Sequence, residues 1–332
     1  MKESKEELVG YLRKMMDIRL FEEKVMELLA KNIIKGASHL YAGEEAVAVG
    51  ACSAIEEDDY ITSTHRGHGH CLAKGGKLPE MMAELCGKAT GYCKGRGGSM
   101  HIADVTKGNL GATGIVASNL PVAVGAALSI KMRKANQVVL CFFGDGVSNN
   151  GIFHESLNMA AVWKLPVVFV CENNLYGMSV AANRCSAVQN MADKAKAYDI
   201  PGMICNGMDI LDVKETIEKA VKRAREGGGP TLVECKTYRY FGHSRSDPRA
   251  YRTKEEEKEW RNKCPIKQFS EKLIDNKILT EKEINQIERQ AEEDVENAEK
   301  FAIESPYPDV KELKDDIYAP SPADLLNGGA II

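Results

Sequence analysis

GDGVSNNGIFHESLNMAAVWKLPVVFVCENN, residues 144–174, decides the reading of this chain. The run before it, Val138-Val139-Leu140-Cys141-Phe142-Phe143, is short, apolar, rich in β-formers and bounded by glycine, which predicts a strand buried on both faces. A tight Gly144-Asp145-Gly146 turn follows. Apolar residues Ile152, Phe153, Leu157, Ala160 and Ala161 then recur on a helical period. After Pro166 a second apolar run, Val167-Val168-Phe169-Val170-Cys171, closes on Glu172-Asn173-Asn174. Strand, turn, helix and strand make a βαβ unit with parallel strands, and the fold class is α/β, a mainly parallel sheet flanked by helices.

Chemistry follows from that placement. Asp145 and Asn174 both fall just past the C-terminal ends of parallel strands, where open α/β sheets bind ligands. An anionic and a neutral oxygen converging beside a helix N-terminus suit Mg²⁺ carrying a diphosphate. Asp-Gly is also an ordinary turn and Asn-Asn ordinary loop material; at the two strand ends of one βαβ unit, they read as a site.

The spacing resembles the thiamine-diphosphate motif, GDG followed after residues 147–172 by NN. The surrounding residues, from about 10 to 320, resemble the alpha subunits of the two-chain 2-oxo acid and acetoin dehydrogenase complexes. The resemblance implies the thiamine-diphosphate-binding fold and a single alpha domain over 1–332. It implies cofactor contacts at Asp145, Gly146, Val147 and Asn174, with Mg²⁺ held by Asp145, Asn174 and the backbone carbonyl of Tyr176. These three oxygens leave room for two diphosphate oxygens and a water.

The other unusual stretch is Ile-Thr-Ser-Thr-His-Arg-Gly-His-Gly-His, residues 61–70. Three histidines and an arginine among glycines do not read as a core element. Zinc on His65, His68 and His70 is one reading, disfavoured because no cysteine or carboxylate nearby completes the set. A phosphate site suits the stretch better, with glycines for close backbone approach and the Arg66 fork for an oxygen pair. By resemblance, His65 and Arg66 contact the cofactor diphosphate and His68 lies near the reacting carbon. Family members usually carry tyrosine where this chain has His65, and the variant looks more like the acetoin-cleaving branch than the pyruvate branch.

Three further assignments rest on the same resemblance. His39 corresponds to a histidine of the substrate channel, and the backbone at Gly114 and Val116 to the aminopyrimidine contact. His243, in Gly242-His243-Ser244 just beyond a strand at 231–237, corresponds to a catalytic histidine that also touches the cofactor. Position alone already makes His243 an acid–base candidate. In mammalian pyruvate relatives the serine matching Ser244 is phosphorylated; that regulation is not inferred here.

Elsewhere the chain reads as ordinary structure. A long amphipathic helix is expected over about 3–35 with Gly36 as its stop, and a small-residue helix around 46–51. The glycine-dense 87–101 reads as a loop near the site mouth, with no G-x-G-x-x-G dinucleotide fingerprint. Helices are expected at about 120–134, 189–199 and 209–226, the last capped by Asp209 or Asp212. A charged helical extension is expected over about 253–305, with capping boxes at Thr253…Glu256 and Thr280…Glu283. Its last run should turn Ile284, Ile287, Val295, Ala298 and Phe301 inward. The tail 321–332 carries no readable chemistry.

With 332 residues, 44% hydrophobic, 28% charged and a net charge of −4, the composition favours neither nucleic acid nor an anionic membrane surface. No stretch has the length of a membrane span, and MKESKEELVGYL lacks a secretory apolar core. Ten scattered cysteines without a C-x-x-C pair suit a reducing compartment. The expectation is a cytoplasmic protein.

Family enzymes activate the cofactor with a glutamate from a second α/β domain, and this chain carries only one such block. The resemblance therefore implies a separate beta chain supplying that glutamate, an α₂β₂ assembly, and a lipoyl acyltransferase component that receives the product. Acetoin cleavage is the first reading of the reaction and pyruvate decarboxylation its rival. A non-catalytic partner subunit and a nicotinamide oxidoreductase are the alternatives from other classes.

Overall fold

A computed structural model describes residues 2–315; the tail 321–332 lies outside them. The order is α1 (Lys5–Ala30), α2 (Glu45–Cys52), β1 (Tyr60–Thr64), α3 (His68–Ala73), α4 (Leu78–Leu85), β2 (Asn109–Thr113), α5 (Asn119–Arg133), β3 (Val139–Gly144), α6 (Gly151–Val162) and β4 (Val167–Asn173). A two-residue hairpin, β5 (Tyr176–Gly177) with β6 (Val180–Ala181), and a short α7 (Ala182–Cys185) come next. Then follow β7 (Gly202–Asn206), α8 (Ile210–Arg225), β8 (Thr231–Lys236), α9 (Lys254–Asn262), α10 (Pro265–Asp275) and α11 (Glu281–Glu304).

Six strands form one parallel sheet in the order β2-β1-β3-β4-β8-β7. The expected βαβ unit is its centre, with Val139 opposite Val167 and Gly144 opposite Glu172. Strand alternation explains why both runs are apolar throughout. Leu140, Phe142, Val168 and Val170 face a core built with α1, α2 and α8. Val139, Cys141, Phe143, Val167, Phe169 and Cys171 face a second core built with α5 and α6. Three strands escape the sequence reading: YITST, NLGAT and GMICN carry too little apolar side chain to signal a strand, and the sheet supplies their partners instead.

Helix ends depart from expectation in informative ways. The first helix stops at Ala30, not near Gly36, because Asn32 takes a left-handed backbone (φ 57°). The amide of Ile33 then donates to the Leu28 carbonyl at 2.9 Å and that of Asn32 to Leu29 at 3.1 Å, satisfying the last turn. Residues 191–198 form a 3₁₀ segment, not the α-helix expected over 189–199. Asp209 caps α8 through the amides of Leu211 and Asp212. Thr280 and Glu283 make a full capping box. Thr253 caps α9, but Glu256 does not reciprocate; its carboxylate accepts from the hydroxyls of Tyr176 and Tyr238, both at 2.8 Å. On α11 the inward face is Ile284, Ala291, Val295, Ala298 and Ala302; Phe301 points outward, one position off the buried stripe.

One glycine joins the site's two halves. Gly43 has φ +107°, and a Cβ there would stand 2.3 Å from the Tyr238 carbonyl oxygen. Beside it, the Tyr240 amide donates to the Ala42 carbonyl at 2.9 Å, tying the loop before α2 to the chain leaving β8. Gly43→Ala should therefore cost more than about 2 kcal/mol, combining backbone strain with a clash against backbone. Urea denaturation of the variant would read this as a lowered midpoint.

Candidate active site

The strand order turns at β1 and β3: β2 lies to one side of that pair, β4 to the other. Ligands bind in the crevice outside such a switch point. A cavity of about 430 Å³ opens there, lined by the residues ending β1, β2 and β3 (Thr64, Thr113, Gly144) and by Glu172 and Asn174 at the end of β4. His65, Arg66, Val116, Asp145, Gly146, Val147, Tyr176 and His243 line it as well. Gly114 sits between two lining residues, Thr113 and Ile115, with His101 packed behind it, 3.1 Å from where its Cβ would be.

Asp145 and Asn174 are both buried, and each has one oxygen with no hydrogen-bond partner: Asp145 Oδ2 and Asn174 Oδ1. Burial, only partly offset by backbone N–H bonds and the Arg239 charge, pushes the Asp145 carboxyl up to about 6. Asn174 is oriented by a residue the sequence reading missed. Its Nδ2 donates to Glu44 Oε1 at 3.0 Å, which turns Oδ1 the other way. Burial, with the Glu172 charge, pushes Glu44 up to about 8. Read in sequence, Glu44-Glu45 is only an acidic helix start; nothing local marks either carboxylate as buried. The Tyr176 carbonyl accepts a long bond (3.4 Å) from Arg239 Nη1. Gly146 and Gly177 meet closely, with 3.3 Å from a Cβ built on Gly146 to the Gly177 Cα, so a side chain at either position would push the two turns apart by a few tenths of an ångström.

Three imidazoles gather beside the cavity, His65 and His243 lining it. His39, from the loop before α2, lies 4.6 Å from His65 and 4.9 Å from His243 between ring centroids; His65 and His243 are 5.5 Å apart. Burial first, then the Arg66 guanidinium, lowers them to about 3, 2 and 4 for His39, His65 and His243, so all three are neutral at pH 7. Arg66 does not leave its whole fork to a ligand. Nη1 donates to the Leu40 carbonyl at 2.6 Å and Nη2 to that of His243 at 3.1 Å, clamping the two histidine loops together. Arg239, read from sequence only as part of a polar loop, is a second buried guanidinium beside the cavity.

His68 is not brought to this group. It is fully buried in α3, with Nδ1 2.9 Å from Glu22 Oε1 and Nε2 2.9 Å from Ser99 Oγ. His70 is equally enclosed, bonded to Ser63 and Glu172 and stacked on Phe142 at 3.9 Å. The 61–70 stretch is therefore largely core, the end of a strand and a buried helix, against the expectation. His68 and His70 tolerate burial because both ring nitrogens of each find a partner. Both nitrogens of His68 are bonded to residues outside the cavity lining, and His68 itself does not line it. The glycine-dense 87–101 loop folds around another buried carboxylate: Glu84 accepts from the amides of Cys93, Gly95, Gly97 and Gly98 at 2.8–2.9 Å.

All ten cysteines are free thiols, and among the described residues no helix is long and apolar enough to cross a membrane. The profile of the family described as "Dehydrogenase E1 component" matches residues 13–311. The acetoin:2,6-dichlorophenolindophenol oxidoreductase alpha subunit of Bacillus subtilis (strain 168) is 51% identical over 95% of this chain and 94% of its own. Its counterpart in Cupriavidus necator is 44% identical over 95% of each chain. The pyruvate dehydrogenase E1 component alpha subunit of Porphyra purpurea is 42% identical over 95% of this chain and 94% of its own. The parallel sheet, the cavity at its switch point and these matches together make the chain a member of the dehydrogenase E1 component family, on its alpha-subunit branch, and a thiamine-diphosphate-dependent oxidoreductase.

Proposed function

We propose that this chain is the alpha subunit of an acetoin dehydrogenase first component. It works in the cytoplasm as one catalytic domain, in an α₂β₂ assembly whose beta chain supplies the activating glutamate. The observation that carries the site is the pair of buried, unpartnered oxygens at Asp145 and Asn174. A buried oxygen without a donor is costly unless a ligand completes it, and a hard oxygen pair fits Mg²⁺ better than any softer cation. Asp145, Asn174 and the Tyr176 carbonyl would hold Mg²⁺; Gly146, Val147 and His65 would line the diphosphate, with Arg66 and Arg239 adding positive charge. Gly114 and Val116 would meet the aminopyrimidine.

Bound thiamine diphosphate supplies a nucleophilic carbon that adds to a carbonyl and accepts the electron pair released when the adjacent C–C bond breaks. The chain's own residues do the rest. His243 and His39 are neutral, so either could take the proton of the acetoin hydroxyl that departs as the aldehyde carbonyl and give it to the oxygen retained on the two-carbon unit. A beta chain covering the cavity would keep water from competing for the two-carbon unit before a lipoyl group on the acyltransferase takes it. Ile115, Val116 and Met178 are 75%, 49% and 62% exposed beside the cavity, an apolar rim suited to a covering beta chain.

Acetoin is favoured over pyruvate by the 51% relative and by histidine at position 65. The test is turnover of the chain co-expressed with its beta partner, with thiamine diphosphate, Mg²⁺ and a dye acceptor. Acetoin should turn over faster than pyruvate; the reverse order would make it a pyruvate dehydrogenase alpha subunit with the same site. Glu44 gives a further check. Glu44→Ala should weaken Mg²⁺ roughly 10–100-fold by freeing the Asn174 amide to rotate, while Glu44→Gln, which keeps an acceptor, should stay near wild type. Metal titration of cofactor binding measures both.

A further inference from the structure

Seven histidines occur in the chain. His68, His70, His101 and His154 each bond a ring nitrogen to a protein group. The ring nitrogens of His39, His65 and His243 make no hydrogen bond among the described residues, and His39 Nδ1 is buried without any partner. These three face one another: one ring nitrogen from each lies within 4.8 Å of the other two. They come from three separate segments, so no helical or strand spacing produces the trio. Packing does.

We propose that His39, His65 and His243 form a second cation site, nitrogen-only, that takes a borderline divalent transition metal such as Zn²⁺. Zinc bonds imidazole nitrogen at roughly 2.0–2.1 Å and accepts three protein ligands with its fourth position open. Three such nitrogens stand about 3.3 Å apart in a tetrahedral set, so ring rotations of about 1 Å close the present trio. The fourth position faces the cavity, lined by His65 and His243. Ligand hardness separates this site from the Asp145–Asn174 oxygen pair: Mg²⁺ prefers the oxygens, zinc the imidazoles. All three rings are already neutral at pH 7, so a metal displaces no proton from them. Arg66 and Arg239 work against a dication, which makes the site weaker than a closed structural zinc centre. A metal held there ties up His39 and His243, assigned above to proton transfer on the substrate. That consequence, inhibition competitive with substrate, rests on the proposed function; the binding itself does not.

Cobalt is the direct probe, because Co²⁺ among tetrahedral imidazoles absorbs visible light far more strongly than Co²⁺ among octahedral oxygens. The alpha–beta complex, saturated with Mg²⁺ to fill the oxygen site and free of substrate, is titrated with Co²⁺ and back-titrated with Zn²⁺. One cobalt per alpha chain should develop the strong band, and one equivalent of zinc should remove it. His65→Tyr and His39→Gln should each weaken binding at least tenfold, with circular dichroism showing each variant folded. His101→Gln and His154→Gln, both on exposed rings outside the site, should change nothing. Absence of the strong band, or a band that survives both His39→Gln and His65→Tyr, overturns the site. Thiamine diphosphate binding, followed separately, distinguishes this failure from failure of the cofactor assignment.

Discussion

Asp145→Ala is expected to abolish Mg²⁺-dependent binding of thiamine diphosphate and with it turnover, leaving the fold intact. The reason is geometric: among the proposed ligands Asp145 alone is a carboxylate, and it is only 3% exposed, with one oxygen unpartnered. Unchanged cofactor affinity, measured by titration at fixed Mg²⁺, would sink the ligand assignment. Asp145→Asn adds a stability reading in the metal-free protein. A carboxyl raised from 3.8 to about 6 on folding is protonated more readily folded than unfolded. Its contribution is therefore present below pH 4 and lost as pH climbs through 6. At pH 7.5 that buried charge costs up to roughly 3 kcal/mol. Metal-free Asp145→Asn should then unfold at higher temperature than wild type at pH 7.5, and the gap should close near pH 4. Saturating Mg²⁺ and thiamine diphosphate should reverse the order at pH 7.5, because only the wild type gains from the ligand. A gap of the same size at both pH values would show that Asp145 is not strained by burial.

His243→Ala should have the second-largest effect, and a different one. General acid–base assistance is worth about 10²–10⁴-fold, so kcat should drop by that order. Cofactor affinity should hold within a few-fold, because the main chain at His243, not its ring, carries the structural bonds. The His243 carbonyl accepts from Arg66, and its amide donates to Asp247 Oδ2 at 2.6 Å. Both survive truncation to alanine. Full activity in the variant would remove His243 from the mechanism. Loss of cofactor binding in step with kcat would instead make it a binding residue.

These two residues also mark how far the chain could be read without its fold. His243 was legible because a glycine-flanked histidine beyond a strand sits where α/β sheets keep their chemistry, and the family resemblance sharpened that position. Asp145 was legible from the βαβ unit itself. Apolar runs of β-formers, a turn and one helical period are local signals, and they determined where β3, α6 and β4 lie and hence which ends face the cavity. The short strands β1, β2 and β7 were not legible, because what makes them strands is backbone pairing with segments far along the chain.

The sequence by itself determined the α/β class, the central unit and the oxygen pair at its ends, since each is written in adjacent residues and their period. Only the tertiary structure decided which histidines gather at the cavity. His65, His68 and His70 lie within six residues of one another, yet the helix that begins at His68 turns His68 and His70 into the core, toward Glu22 and Glu172. His65, left at the strand end, meets His39 and His243 instead. Partners for these rings are set by packing across the chain, at separations of 26 to 178 residues for the contacts just named, and no local pattern encodes them.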